Sequence, residues 1–159
     1  MTLALRPFAA DDDAALIAWI GSAEELERFA GSSLAWPLTA DQLDRIRADP
    51  KAHAWTACTD PATQAAVGHA ELIVTGEDTG RIARVLLDPA RRGEGLGGAL
   101  VAAIVNRARA LGITRLSLNV LAGNEPAIRT YRRLGFADAG SDPADPRVRI
   151  YALGALYDR

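Results

Sequence analysis

Leu86-Leu87-Asp88-Pro89-Ala90-Arg91-Arg92-Gly93-Glu94-Gly95-Leu96-Gly97-Gly98 reads as the end of a strand that passes through a glycine loop into a helix. Downstream, Leu96, Leu100, Ala103, Ile104, Ala108 and Leu111 recur at helical spacing until Gly112 stops the helix. Arg115 to Leu121 then reads as a strand, and Asn124 as the cap of a helix with Pro126 in its first turn and Gly135 at its end. Two strands follow, near Phe136 and from Arg147 to Leu153. Upstream, Ala52 to Thr59, Ala66 to Thr75 and Arg81 to Asp88 form a meander punctuated by Asp60-Pro61 and by Gly76 to Gly80. Before it, Thr2 to Arg6 alternates like a strand. Asp11 to Asp13, Ser22 with Glu25, and Thr39 mark the starts of three helices. The order β-α-α-α-β-β-β-α-β-α-β-β implies an α/β fold with a mixed, mostly antiparallel sheet flanked by helices, expected as one domain over residues 1–159.

Composition agrees with a globular chain. Of 159 residues, 49% are hydrophobic and 24% charged, enough for a core without covalent staples. Cys58 is the only cysteine, so an intrachain disulfide is impossible, and with His53 and His69 as the only histidines no metal site is expected. The most apolar run, Ala99 to Val105, ends at Asn106-Arg107, far short of the roughly 18 residues a membrane span needs. Met1 to Phe8 leads into Asp11, Asp12 and Asp13, unlike a secretory signal, which makes the cytoplasm the expected compartment.

Charge is segregated within a net value of −2. Residues 81–133 hold ten arginines against Asp88, Glu94 and Glu125, a surplus of seven, so the remainder carries −9. That pattern suits either a localised anionic ligand or a set of solvated helix faces. The glycine loop favours the ligand. Glycines let backbone approach an anion, and the first amides of a helix have no partners within it. Two familiar phosphate loops do not fit. A dinucleotide fingerprint begins directly after its strand and wants an acid about 20 residues on, whereas five residues follow Leu87 here and the next strand offers Ser117 and Asn119. A nucleoside-triphosphate loop needs Gly-Lys-Ser/Thr, and the only lysine is Lys51.

Arg92-x-x-Gly95-x-Gly97 instead resembles the acetyl-CoA loop of the GCN5-related N-acetyltransferase (GNAT) superfamily. One helix and one strand later, Asn124-Glu125-Pro126-Ala127-Ile128-Arg129-Thr130-Tyr131-Arg132-Arg133-Leu134-Gly135-Phe136 resembles its second signature, N-x-x-A-x-x-x-Y-x-x-x-G-F. Specific matching covers about residues 81–139, and the first 80 agree in element order. The opening Leu5-Arg6-Pro7-Phe8 looks most like the ribosomal-protein and small-molecule branches. The resemblance implies the GNAT (acyl-CoA N-acyltransferase) fold and an acetyl-CoA-dependent N-acetyltransferase that acts on a primary amine by direct attack in a ternary complex.

By that resemblance, Arg92, Gly93, Glu94, Gly95, Leu96, Gly97 and Gly98 would hold the pyrophosphate with their amides, and Val85, Leu86 and Leu87 would bond the pantetheine. A strand edge splayed at Asp88-Pro89 has the unpaired groups for the latter and could polarise the thioester carbonyl. Arg91 and Arg129 are phosphate-contact candidates, with solvated faces the alternative. Tyr131 suits protonation of the departing thiolate, since a phenol of pKa ~10 keeps its proton at neutral pH; core packing is the alternative. Asn124, seven residues earlier on the same helix face, is either a cofactor contact or a simple N-cap.

The base is less regular. Many relatives place glutamate five residues before the signature asparagine, where this chain has Asn119, and an amide cannot accept the proton. His69 and Glu71 share one strand face with Val67 and Ile73, which makes Glu71 the leading candidate, against a surface carboxylate or a water chain. The acceptor is an amine of unknown identity. Residues 1–80 carry 13 acids against five basic groups, which suits a cationic amine or simply exposed helices. Trp36 lies where relatives form the acceptor lip, and otherwise closes a core edge. Oligomeric state, a homodimer included, stays open. Two rival functions remain. Asn119 motivates a catalytically silent acyl-CoA-binding module. RNA binding through the arginines lacks interleaved aromatics, with only Tyr131 and Phe136 nearby, so neither nucleic acid nor membrane is an expected partner.

Overall fold

A computed structural model describes residues 2–154; Met1 and residues 155–159 of the expected domain lie outside the described residues. Strands β1 (Ala4–Pro7), β2 (Ala52–Cys58), β3 (Gly68–Val74), β4 (Thr79–Leu87), β5 (Arg115–Leu121), β6 (Ala137–Asp142) and β7 (Asp145–Leu153) form one sheet. Its order is β1-β2-β3-β4-β5-β7-β6. Only the β4–β5 pair is parallel, because α4 (Leu96–Ala110) crosses between them; the other neighbours are antiparallel. Helices α1 (Asp13–Trp19), α2 (Ala23–Ala30) and α3 (Ala40–Ala48) precede β2, and α5 (Glu125–Arg133) follows β5. This is the expected element order.

The helix starts show how local chemistry sets the boundaries. Ser22 Oγ accepts from the Glu25 amide at 3.1 Å, and Glu25 reaches back to the Gly21 amide at 2.7 Å, one residue further than a reciprocal box. Thr39 caps α3 through the Gln42 amide. Two expected caps are absent. Asp12 precedes α1 but makes no cap bond, and the Asn124 side chain caps nothing; at the start of α5 the Glu125 amide donates to the Gly123 carbonyl and Pro126 has no N–H.

Each face of the sheet has its own core. On one side Leu100, Val101, Ile104 and Ala108 of α4 and Ile128 of α5 pack on Ala57, Ala70, Leu72, Ile82, Leu118 and Tyr151. Each fully buried aliphatic side chain there contributes about 1.5–3 kcal/mol. On the other side Leu16, Leu26, Phe29, Leu43 and Ile46 pack with Phe8 against Ala54 and Leu86. Among the described residues no helix is long and apolar enough to cross a membrane.

One feature of the sheet positions everything that follows. The β4–β5 ladder runs only from Thr79↔Arg115 to Ile82↔Leu118, while β5 stays paired with β7 as far as Leu121↔Val148. On its other edge β4 stays with β3 out to Gly68↔Leu87, but through a register shift. The strands therefore part after Ile82, five residues before the expected point at Asp88-Pro89. The shift opposes Arg84 and Val85 to Ala70 alone, a bulge, and Arg84 adopts φ +50°. A non-glycine residue there costs on the order of 1–3 kcal/mol unless its surroundings hold it.

Asp12 braces the helical side. Its carboxylate accepts from Arg6 (2.8 and 2.9 Å), the Ala9 amide (3.0 Å) and Thr56 Oγ1 (2.8 Å) while only 7% exposed. Burial pushes its pKa up, but the bonds from Arg6, Ala9 and Thr56 outweigh this and hold it below the ordinary carboxylate value. The bonds thus stabilise the fold above the unfolded pKa of about 3.9, and that contribution is lost as pH falls through the lower folded value. Asp12→Asn should cost about 2–3 kcal/mol in urea unfolding at pH 7, with the gap from wild type closing below about pH 4. A gap that is the same at pH 7 and pH 3 would show that the ionised carboxylate adds nothing.

Candidate functional site

Parting of β4 from β5 leaves the Val85–Leu87 backbone without a partner strand on the β5 side. Val85 and Leu87 border the core shared by α4 and α5, while Leu86 packs toward the other. Tyr131, on α5, borders the same core as Val85 and Leu87. The structure therefore gathers the candidate pantetheine strand and the candidate acid around one cluster.

The glycine loop closes the wide end of this wedge. Asp88 accepts from the Ala90 amide at 2.9 Å and starts a short turn, Pro89–Arg91. Gly93 and Gly95 follow with φ +84° and +77°, conformations that L side chains rarely adopt. A Cβ on either would meet nothing within 4 Å, so both sit against open space. Gly95 is the N-cap of α4 and no side chain satisfies the first-turn amides of Leu96, Gly97 and Gly98. Gly97 and Gly98 lie closer to their neighbours. A Cβ there would lie 3.7 Å from Leu87 Cδ1 and 3.6 Å from Thr130 Cγ2, ordinary contacts that a methyl group could make. Glu94 does not stand alone beside this cradle, since Arg91 Nε donates to it at 2.9 Å. Arg92 and Arg129 are exposed.

Tyr131 is half-buried, its ring 6.3 Å from that of Phe136. Burial pushes its phenol above the ordinary value, so it stays protonated throughout the physiological range. Asn124 is exposed at the head of the same helix, with its side chain unused by capping. Asn119 is exposed on β5 directly beyond the last β4–β5 pair.

Glu71, the leading base candidate, is not the surface carboxylate that was the alternative to that role. It is 0% exposed, on the face covered by α1–α3. Oε2 lies 2.8 Å from His69 Nε2, and Oε1 accepts from Arg84 Nη1 at 2.5 Å. His69, also buried, is enclosed by Phe8 at 4.6 Å and Phe29 at 5.9 Å between ring centroids. Val67, expected on this face, joins the opposite core. His69 and Glu71 thus come together as expected, but both carboxylate oxygens are engaged.

Arg84 is the residue sequence reasoning passed over. Beyond Glu71, its Nη2 donates to Ser33 Oγ at 3.0 Å in the loop between α2 and α3. The one signal for it is an arginine interrupting Ile82, Ala83, Val85 and Leu86, which alone reads as an outward strand position. Further along that loop Gln42 ties the backbone shut, accepting from the Ala35 amide at 2.8 Å and donating to the carbonyls of Ala35 and Pro37 at 3.0 Å. Trp36, between them, is 46% exposed and closes no core edge; its peptide bond to Pro37 is cis.

Known proteins share these features. Residues 15–136 match the acetyltransferase (GNAT) family. A mycothiol acetyltransferase of Mycobacterium sp. (strain MCS) is 31% identical over 153 residues, covering 88% of this chain and 51% of its own. This chain thus spans about half the length of the curated relatives it matches. Spermidine N-acetyltransferase from Vibrio cholerae, solved with CoA and spermine, superposes with a TM-score of 0.79 at 15% identity, covering 98% of this chain and 96% of that one. The paia N-acetyltransferase of Thermoplasma acidophilum, solved with coenzyme A, gives 0.73 at 18% identity, covering 98% and 100%. With a strand pair that parts beside a glycine loop, and a family match across most of its length, this chain belongs to the acetyltransferase (GNAT) family.

Proposed function

We propose that the chain is an acetyl-CoA-dependent N-acetyltransferase that transfers acetyl to a primary amine, on a small molecule or on a protein N-terminus or side chain, by direct attack in a ternary complex. The observation that carries this reading is the early parting of β4 from β5, which opens a polar backbone edge between an uncapped helix start and a protonated tyrosine. Acetyl-CoA supplies the acetyl group as a thioester. Its fit rests on the open space at Gly93 and Gly95 and on the unshared edge of Val85–Leu87.

Each group then has one task. The amides from Arg92 to Gly98 hold the diphosphate at the positive end of α4. Val85, Leu86 and Leu87 bond the pantetheine amides as an added strand would, and an N–H of that edge polarises the thioester carbonyl. Asn124, unspent in capping, contacts the cofactor at the start of α5. As the amine forms its bond to the carbonyl carbon and the C–S bond breaks, Tyr131 gives its proton to the sulfur. Glu71 is the base candidate by chemistry, but its oxygens are committed to His69 and Arg84, so the amine proton passes to water. No step calls for a metal.

The acceptor is an amine, as the names of the spermidine and streptothricin relatives suggest. A silent acyl-CoA-binding module remains the competing reading, favoured by the absence of a free carboxylate at Asn119. Tight acetyl-CoA binding with no CoA release on any amine of a broad screen would establish it.

Gly95→Asp should abolish acetyl-CoA binding in calorimetry, because the carboxylate would project into the space assigned to the diphosphate. Gly97→Ala, whose Cβ meets only an ordinary contact, should fold at least as well as wild type. Wild-type affinity in folded Gly95→Asp would remove the cradle.

Tyr131→Phe keeps the ring against Phe136 and deletes one O–H. Acetyl-CoA affinity should hold while turnover falls ~10²–10⁴-fold, the usual worth of a positioned acid. Wild-type turnover would make Tyr131 a packing residue.

A further inference from the structure

The GNAT signatures account for one face of the wedge and say nothing of the polar group on the other. Arg84 stands where β4 bulges, two residues after the last β4–β5 pair and directly before Val85. It is one of two described non-glycine residues at positive φ, the other being Gln64. Its guanidinium forks between two elements that are otherwise remote in sequence. One nitrogen holds Glu71, which His69 fixes from behind; another holds Ser33 in the loop between α2 and α3.

We propose that Arg84 is a positioning residue that couples the wedge to the α2–α3 loop, so that occupancy of the Val85–Leu87 edge orders residues 31–39, and ordering of that loop strengthens binding at the edge. This rests on the acetyl-CoA reading of the wedge. The physical path is short. A ligand that pairs with the Val85 backbone fixes the bulge, and the bulge sets where the Arg84 side chain emerges. Glu71 leaves that side chain little freedom, because a fully buried carboxylate cannot relinquish its cation without large cost. The remaining nitrogen therefore carries any movement of β4 to Ser33. Downstream of Ser33 the Gln42 side chain ties the Ala35 and Pro37 backbone to α3, so the Arg84–Ser33 bond holds the other end of the loop. Linkage requires the effect to be reciprocal between edge and loop.

Ser33→Ala and Arg84→Lys separate this role from mere support of the fold. Ser33 is exposed, so its alanine variant removes the bridge without emptying a core. Lysine at position 84 keeps a cation against Glu71 but lacks the planar fork that serves two partners at once. Amide hydrogen exchange with and without saturating acetyl-CoA reads the coupling directly. In wild type, acetyl-CoA should slow exchange across residues 31–39 several-fold as well as in Arg92–Gly98. In both variants the cradle amides should remain protected while the protection of 31–39 is lost. Calorimetry should show acetyl-CoA binding weakened by the same factor in the two variants. Loop protection equal to wild type in both variants, or none in wild type when the cradle is protected, would overturn the proposal. Absence of protection anywhere in wild type would instead overturn the acetyl-CoA reading. The bridge would still be read in that case, since unliganded Ser33→Ala should exchange faster than wild type over residues 31–39.

Discussion

Two neighbouring strands that stop pairing create more chemistry here than any single side chain. A sheet interior normally satisfies both edges of every strand, and a strand that leaves its neighbour exposes backbone groups whose loss to water-poor surroundings is costly. In this chain β4 parts from β5 after Ile82 yet keeps β3 to Leu87. The extra residue at Arg84 is what reconciles those two demands, because a bulge bends the strand that carries it while the ladder on its other side continues. The opening, the approach to the glycine loop and the border with Tyr131 all depend on that bend.

The cost of the bend is met on the helical side of the sheet. Among the described residues, three arginine pairs on the side covered by α1–α3 have a buried acid: Asp12 with Arg6, Asp13 with Arg47, and Glu71 with Arg84. Buried pairs are weak sources of net stability, and well-packed apolar residues of the same volume often do as well. They are demanding about geometry, however. A one-residue slip of β3 would turn Glu71 away from Arg84 and place it in the apolar core under α4, an outcome no neighbouring cation could repair. The Glu71–Arg84 pair therefore holds register where the bulge has loosened it.

Much of this was legible in the sequence. Every element of the described fold was marked by periodicity or punctuation, and β5 agrees with its expected bounds, Arg115 to Leu121. The glycine loop was legible because it rests on local chemistry, the positive φ of Gly93 and Gly95, and the place of Tyr131 on α5 because it rests on helical spacing, while its role is a proposal. What stayed hidden depends on contacts distant in sequence. The parting after Ile82 follows from where β5 ends its pairing, 36 residues later at Leu118. Whether Glu71 was a site base or a surface carboxylate stayed undecided because alternation assigns a residue to a face but not to a depth, and the fold buries it fully. Asn124 looked like a cap because the residue type favours it, whereas its side chain makes no cap bond in the fold.

The charge pattern requires the same correction. Seven surplus positive charges between residues 81 and 133 invited an anionic ligand as their explanation. The folded chain uses several of those arginines internally: Arg84 on Glu71, Arg91 on Glu94, Arg107 on the Leu5 carbonyl, Arg115 on Asp78 and Arg132 over Tyr151. Segregation along the chain is thus partly undone in space, Glu71 and Asp78 of the acidic segment pairing with Arg84 and Arg115 of the basic one. The case for a phosphate at the loop accordingly passes from net charge to backbone. Main-chain amides at the start of a 15-residue helix, beside two glycines open to solvent, act at hydrogen-bond range and are not screened as exposed arginines are.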